Sequence, residues 1–523
     1  MRKWQLKKFY RSVFWILGDQ LNSNHSWFEN TDDTRLFVIA ELKQEASYCH
    51  HHVQKVSAFF ASMKIFATAL RNSGHHVLYL TLDETADFED LQNLIAHTMS
   101  NFSAKKFNYQ RPDEYRLLMD MRSLSGQMDF EVEEFDTEHF LFPYDQIESD
   151  FVRGKAHRME SFYRKMRKKF DILMEGDKPV GGTWNYDKEN REKLKKNDLT
   201  YIPSPKIFKN DVSEVLERIR KHKIVVTGQE MNPLIWPTSR EQALEILDFF
   251  CEYCLPSFGR FQDAMTCQTD NSWSLYHSRL SYALNVKMLS PREVIAKALK
   301  CFHYRQGEIS LSQVEGFVRQ ILGWREFIRA IYWINMPDYS SKNYFSADLK
   351  LPDFFWTGKT RMRCMSSAIG DSLKYSYSHH IHRLMVTGNF CMLAGIDPEE
   401  VDSWYLGIYI DAVQWVELPN TRGMSQYADG GIVASKPYAA SGNYISKMSD
   451  YCSSCHYNVK EVTTERACPF NSLYWHFMHK HRDVLKKNPR TNLVFKGWDR
   501  KAEDERGLVL QKAQEVIHSL ETL

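Results

Sequence analysis

Residues 36–82 read LFVIAELKQEASYCHHHVQKVSAFFASMKIFATALRNSGHHVLYLTL, and their changing periodicity decides the fold of the first part of the chain. Leu36 to Ala40 is a short apolar run with β-branched and aromatic residues, the pattern of a strand. Over 51–73 the apolar residues Val53, Val56, Phe59, Phe60, Met63, Phe66 and Leu70 fall on roughly one helical face. Gly74 stands where a helix C-terminal cap belongs, and 76–82 reads as the next strand. Upstream, Ser12 to Leu17 is a strand of the same kind. Strand, helix, strand predicts a parallel, Rossmann-like sheet with helices on both faces, an α/β domain over 1–135.

The rhythm then changes. Residues 136–240 read as an interdomain linker that is partly basic and irregular. Within it, 153–169 holds eight Lys or Arg against one Glu. Such a run is either a solvated face or a contact for a DNA backbone, because phosphate binding needs clustered cations even when net charge is small. Residues 176–190 (GDKPVGGTWNYDKEN) read as loop from their Gly, Pro and Asn content. From 241 to 523 the pattern predicts a large all-α domain, with helix-period apolar faces at 243–254, 313–333, 364–393 and 401–415.

The bulk properties agree with three such parts. The chain has 523 residues, 43% of them apolar, and a net charge of +2. No apolar run is long enough to span a membrane. Arg2, Lys3, Lys7, Lys8 and Arg11 before Val13–Leu17 give the N-terminus a slight look of a signal peptide. The apolar run is short and Asp19-Gln20 follows it, so a first strand is the expectation. Ten cysteines, mostly scattered, suit a reducing compartment and predict a cytoplasmic protein.

One cysteine group is not scattered. Cys452-x2-Cys455-x12-Cys468-Pro469 has ligand-like spacing. Spacing alone leaves zinc and an iron–sulfur cluster equally open. The fourth ligand is not local, with His456, His476 and Cys364 as candidates.

Several segments together resemble the cryptochrome/photolyase family, and most of all its iron–sulfur bacterial branch, which includes the prokaryotic (6-4) photolyases. They are 16-ILGDQL-21, 316-GFVRQILGWREF-327, 377-YSHHIHR-383, 415-WVELPN-420 and 436-KPYAASGNY-444, joined by the cysteine group. Each is weak alone, but their order is specific and spans essentially the whole chain. The resemblance implies an α/β antenna domain, a long linker and a helical FAD domain. It implies a 4Fe–4S cluster held by Cys364, Cys452, Cys455 and Cys468, and it thereby favours iron over zinc.

The family binds FAD folded into a U. By resemblance, Ser278-Arg279-Leu280-Ser281 contacts the phosphates and ribose, and Trp324 and Arg325 line the cavity over the cofactor. Arg383 and Asp411 pair beside the flavin ring. This chain departs from the family in two places. A second family Asp is Val413, and the residue facing flavin N5 falls at Glu417. A carboxyl pressed against a ring tends toward its neutral form, which leaves the resting redox state open. Trp404, Tyr405 and Trp356 match the branch's electron path.

Reversal of a (6-4) lesion moves an oxygen between two bases and needs a proton donor, for which histidine is suited. His379-His380 sits where (6-4) enzymes carry their His pair. Arg383 shares a helical face with both, at i+4 and i+3, which supports a pocket next to the flavin for the pair. The branch also places 6,7-dimethyl-8-ribityllumazine as an antenna at the carboxyl edge of the sheet, with Asp19 and Glu45 as candidate contacts.

The expected activity is light-driven repair of UV-damaged DNA by a monomeric (6-4) photolyase. The alternative is a cryptochrome-type blue-light receptor that repairs nothing. A third possibility, a nucleic-acid-binding protein like the primase large subunit, would bind no flavin.

Overall fold

The computed structural model describes residues 6–523, so Arg2 and Lys3 of the basic N-terminal stretch lie outside the described residues. Five strands form one parallel sheet: β1 (Ser12–Ile16), β2 (Arg35–Ala40), β3 (Val77–Leu80), β4 (Lys106–Gln110) and β5 (Glu131–Phe135). Their order is β3-β2-β1-β4-β5. Every residue of β1 is buried, as a strand covered on both faces requires. Its side chains alternate. Val13, Trp15 and Leu17 join one core with Leu36, Val38 and Phe107. Phe14 and Ile16 face a second core that continues through the helix Val53–Asn72 into the helical part of the chain.

Residues 136–240 are not an open linker. The basic stretch read as irregular forms the helix Met159–Phe170. A second helix, Ser213–Lys221, carries Arg218, which donates to both oxygens of buried Glu41 beside the sheet at 3.0 and 2.7 Å. A buried two-point pair of this kind fixes orientation as well as proximity.

The helical part begins at Arg240–Phe249. Two helices expected to be continuous are broken. The stretch 364–393 splits into Arg363–Tyr375 and a helix that resumes at His380, with Ser376 in the left-handed region (φ 55°) between them. The stretch 401–415 splits into Pro398–Ile408 and Gln414–Leu418. Each break satisfies the other: Ser376 Oγ donates to the Ile408 carbonyl, and the Ile410 amide donates to the Ser376 carbonyl, both at 2.8 Å. Tertiary partners for backbone groups here outweigh the helical period. Three of the four wide π-turns among the described residues, Arg319–Arg325, His382–Gly388 and Pro419–Ser425, interrupt helices of the later part of the chain, the fourth being Phe250–Cys254. Turns of this type concentrate at functional sites.

Candidate active site and its neighbouring cavities

The three π-turns Arg319–Arg325, His382–Gly388 and Pro419–Ser425 open onto one inner cavity of the helical part. Trp324, Arg325, Arg383, Leu384, Asn420, Thr421 and Ser425 line it, together with Ser278, Arg279, Ser281, Asp411 and Glu417. Leu280 does not: it is buried in the core, while its neighbours reach the cavity.

The charges of this cavity are arranged around Arg383. Its Nη2 donates to Asp411 at 2.9 Å, its Nε to the Ser378 carbonyl at 2.7 Å, and its guanidinium lies 3.7 Å over the Tyr409 ring. Ser281 Oγ donates to the other Asp411 oxygen at 2.5 Å. Glu417 stands 4.0 Å from Arg383 and accepts from Thr421 at 2.7 Å. Burial raises the Glu417 carboxyl despite those two partners. Arg279 and Arg325 differ from Arg383. Arg279 is buried and Arg325 half-buried; each has an Nε without a partner and donates only to carbonyl oxygens and neutral groups. Burial pulls each guanidinium down to about 10. Two desolvated cations without a carboxylate are costly unless an anion joins them.

An outer cleft meets the inner cavity along a seam where His277, Trp324 and His380 border both. Its rim carries Arg191, Arg319, Lys436 and Arg490, with Asp187 and Asp263 among them. His380 is accessible through the cleft. Even so, the protein packed around it, and then the Arg383 charge, pull its imidazole down to about 4.

His379 does not share this position. The helix starts at His380, so the i, i+4 relation to Arg383 does not carry the His379 side chain to the cavity. Its ring is buried instead, 4.3 Å from His277 and 3.9 Å from His382. Sequence reasoning passed over His277, although it immediately precedes Ser278.

Tyr405 lines the inner cavity and donates to the Arg383 carbonyl at 2.7 Å. Its ring is 5.4 Å from that of buried Trp404, which lies 5.1 Å from Phe355. Trp356, the next residue, is 36% exposed. The three residues thus run from the cavity wall toward the surface.

A second cavity lies where the strand order reverses between β1 and β4, the position at which open α/β sheets bind ligands. Trp15 to Asp19 and Pro112 to Glu114 line it from the sheet, and Val413 to Trp415 close it from the helical part. Gln20 braces the two strand ends, accepting from the Leu17 amide at 3.0 Å and donating to the Gln110 carbonyl at 3.1 Å. Asp19 and Glu45 both line this cavity, and both are paired: Asp19 with Lys287 at 3.2 Å, Glu45 with Arg116 at 3.0 and 2.8 Å. Lys287 also meets Asp113 at 2.9 Å. Trp415 lines the inner cavity as well, so it is a wall common to both.

The four cysteines Cys364, Cys452, Cys455 and Cys468 surround one small pocket with Tyr451, Tyr457 and Phe470. All are free thiols. Cys364 opens the helix Arg363–Tyr375, and Cys468 caps Pro469–Lys480. Among the described residues, no three His, Cys, Asp or Glu stand close enough to grip a single ion. His456 and His476 do not border the pocket.

The basic run 153–169 is partly spent within the chain. Arg153 pairs with Asp338, Arg164 with Glu160 and Lys165 with Asp150. Arg167 is buried against backbone carbonyls. No helix of the described residues is long and apolar enough to cross a membrane.

Known proteins match this arrangement. Residues 14–234 fit the family described as deoxyribodipyrimidine photo-lyase-related protein. A protein of Agrobacterium fabrum named (6-4) photolyase is 39% identical over 509 residues, covering 97% of this chain and 99% of its own. The crystal structure of a bacterial class III photolyase from Agrobacterium tumefaciens superposes with a TM-score of 0.54 at 13% identity, covering 93% of this chain and all of that one. A Synechocystis cryptochrome gives 0.57 at 13% identity, over 84% and 89%. These two show a common fold, and the near full-length relative shows kinship: the chain belongs to the cryptochrome/photolyase family.

Proposed function

We propose that this chain is a (6-4) DNA photolyase that uses light to repair (6-4) pyrimidine photoproducts. One observation carries the reading. His380, a titratable donor, stands at the seam between a charged inner cavity and an open cleft with a basic rim. The near full-length relative named (6-4) photolyase supports it.

The inner cavity fits FAD. Arg279 and Arg325, desolvated and without carboxylates, suit a pyrophosphate, and Arg383 with Asp411 and Glu417 suits the polar edge of a flavin ring. Reduced FAD, when bound and excited, supplies an electron to the lesion and takes it back. The chain's own residues do the rest. Asp411 holds Arg383 in place through a two-point contact. Glu417, with its carboxyl raised by burial, is suited to donate a hydrogen bond rather than to repel one. Tyr405, Trp404 and Trp356 lead from the cavity wall outward, a route for resupplying electrons.

His380 delivers the proton. In a (6-4) lesion an oxygen must return from one base to the other, and a protonated imidazole beside it lowers that barrier. The free protein keeps this imidazole mostly neutral. The phosphates of bound DNA favour the charged form. A cyclobutane dimer needs no such donor.

Four free thiols around one pocket suit a 4Fe–4S cluster, which takes four thiolates. The cavity at the sheet edge, with its carboxylates already paired and an aromatic wall, suits a planar antenna such as 6,7-dimethyl-8-ribityllumazine. The test is an oligonucleotide with a single (6-4) lesion, illuminated with reduced holoprotein. Light-dependent return to intact pyrimidines is expected, with a cyclobutane dimer left unrepaired. Binding without repair would favour the receptor reading.

A further inference from the structure

Two imidazoles, from separate segments, stand at the seam. His277 borders the inner cavity and the outer cleft, as His380 does. Its Nε2 is buried and has no hydrogen-bond partner in the protein. Behind it lies a column. The His277 ring stacks on His379 at 4.3 Å with 14° between planes, His379 lies 3.9 Å from His382, and His382 Nε2 is 2.8 Å from the Tyr451 hydroxyl. Both His379 nitrogens and His382 Nδ1 also lack partners.

Packing does not explain this column. An unpartnered buried polar atom costs about 1–3 kcal/mol, and phenylalanine rings would fill a similar space without that cost. What the column does is fix the plane of His277 at the seam while leaving its buried Nε2 without a partner in the protein.

We propose that His277 is a second acid–base residue of the repair site, acting with His380 on the lesion, and that His379 and His382 are positioning residues that hold its ring. This rests on the reading of the cleft as a (6-4) lesion site. The pair works with one proton. Burial draws His277 down to about 3 and His380 to about 4, and the His380 charge depresses His277 further. The other titratable and charged groups around the pair are His379 and His382 behind His277, Arg279, Arg325, Arg383, Asp411 and Glu417 along the inner cavity, and Asp187, Arg191, Asp263, Arg319, Lys436 and Arg490 along the cleft. As the lesion oxygen moves, one N–H bond breaks on His380 and one O–H bond forms on the lesion. When the oxygen reaches its own ring, the hydrogen it carried as the lesion's hydroxyl moves to the adjacent ring nitrogen, the O–H bond supplied by His380 breaks as the carbonyl re-forms, and that proton lands on the facing nitrogen of His277. It then passes back to His380, so no proton is consumed. The electron comes from reduced FAD and returns there.

The test uses chemically reduced holoprotein saturated with (6-4) oligonucleotide, so that neither electron supply nor DNA affinity limits. His277→Phe keeps the stack and removes the nitrogens; His277→Gln keeps a hydrogen-bonding group and removes the ring. His277→Phe should keep FAD and bind lesion DNA within about twofold of wild type, yet repair about a hundredfold less per absorbed photon, the low end for a lost acid–base group. His277→Gln should recover part of that, and His379→Phe most of it. Independently, His380→Ala should raise the pH at which the nitrogen-15-labelled His277 ring takes up its proton. Full repair by His277→Phe, or a loss explained wholly by weaker DNA binding, overturns the inference alone. So does an unchanged His277 titration in His380→Ala. A wild-type protein inert toward (6-4) DNA overturns the proposed function as well.

Discussion

Trp415 has a cavity on either side, and the two treat charge in opposite ways. At the sheet edge each carboxylate lies beside a cation: Asp19 and Asp113 at Lys287, Glu45 and Glu114 at Arg116. On the inner side Arg279 and Arg325 have no carboxylate, and Glu417 reaches Arg383 only at 4.0 Å. A cavity whose carboxylates are all paired, with Lys55 as a lining cation that donates to the Leu406 carbonyl, favours a guest held by shape and aromatic contact. A cavity left with desolvated cations suits an anionic one. Trp415 thus separates a cavity whose carboxylates are paired from one in which Arg279 and Arg325 have no carboxylate.

Substitutions can break or sharpen that contrast. Arg383→Ala should have the largest effect, because it strands buried Asp411; removing one partner of a buried pair costs about 3–5 kcal/mol. Thermal unfolding should show the loss, and the purified protein should lack the flavin absorbance of bound FAD. Arg279→Met should separate stability from binding. It removes a desolvated cation, so stability without cofactor should hold or rise. A hydrogen bond to a charged group is worth about 1.5–3 kcal/mol, so FAD affinity should fall by roughly ten- to hundredfold. A lower melting temperature of the cofactor-free variant would argue against incomplete charge as the design of this site.

The pH dependence follows from His380. Its imidazole is drawn below the ordinary histidine range, and the donor must be protonated to act. Repair at saturating DNA should therefore fall as pH rises above neutrality, and this slope should vanish in His380→Ala. Glu45→Gln should do least. Its pair with Arg116 is partly exposed at the sheet edge, and such pairs are worth about 0–1 kcal/mol. Stability should barely move and bound FAD should not change, as absorbance and melting curves would show.

Much of this was legible in the sequence, for reasons that also mark where reading stops. The strands at 12–17 and 36–40 announce themselves because a doubly covered parallel sheet needs continuous apolar runs. The three clustered cysteines are visible because Cys452, Cys455 and Cys468 lie close along the chain. Cys364 is separated from the other two candidates, His456 and His476, only through family likeness, since the helix bringing it to the pocket starts almost ninety residues earlier. His379 was misjudged because helical periodicity cannot see that Ser376 finds its partners at Ile408 and Ile410 and interrupts the helix. His277 was missed because its column is assembled from segments about a hundred residues apart. Paired and unpaired charges likewise depend on neighbours that are distant in sequence.

The central claim is that His380 supplies the proton that makes (6-4) repair possible. The direct measurement is single-turnover repair by wild type and His380→Ala, both chemically reduced, loaded with FAD and saturated with (6-4) oligonucleotide under the same light. The variant should bind FAD and DNA as wild type does and repair about a hundredfold to ten-thousandfold less, the range for a missing general acid. Repair at the wild-type rate by His380→Ala would contradict it.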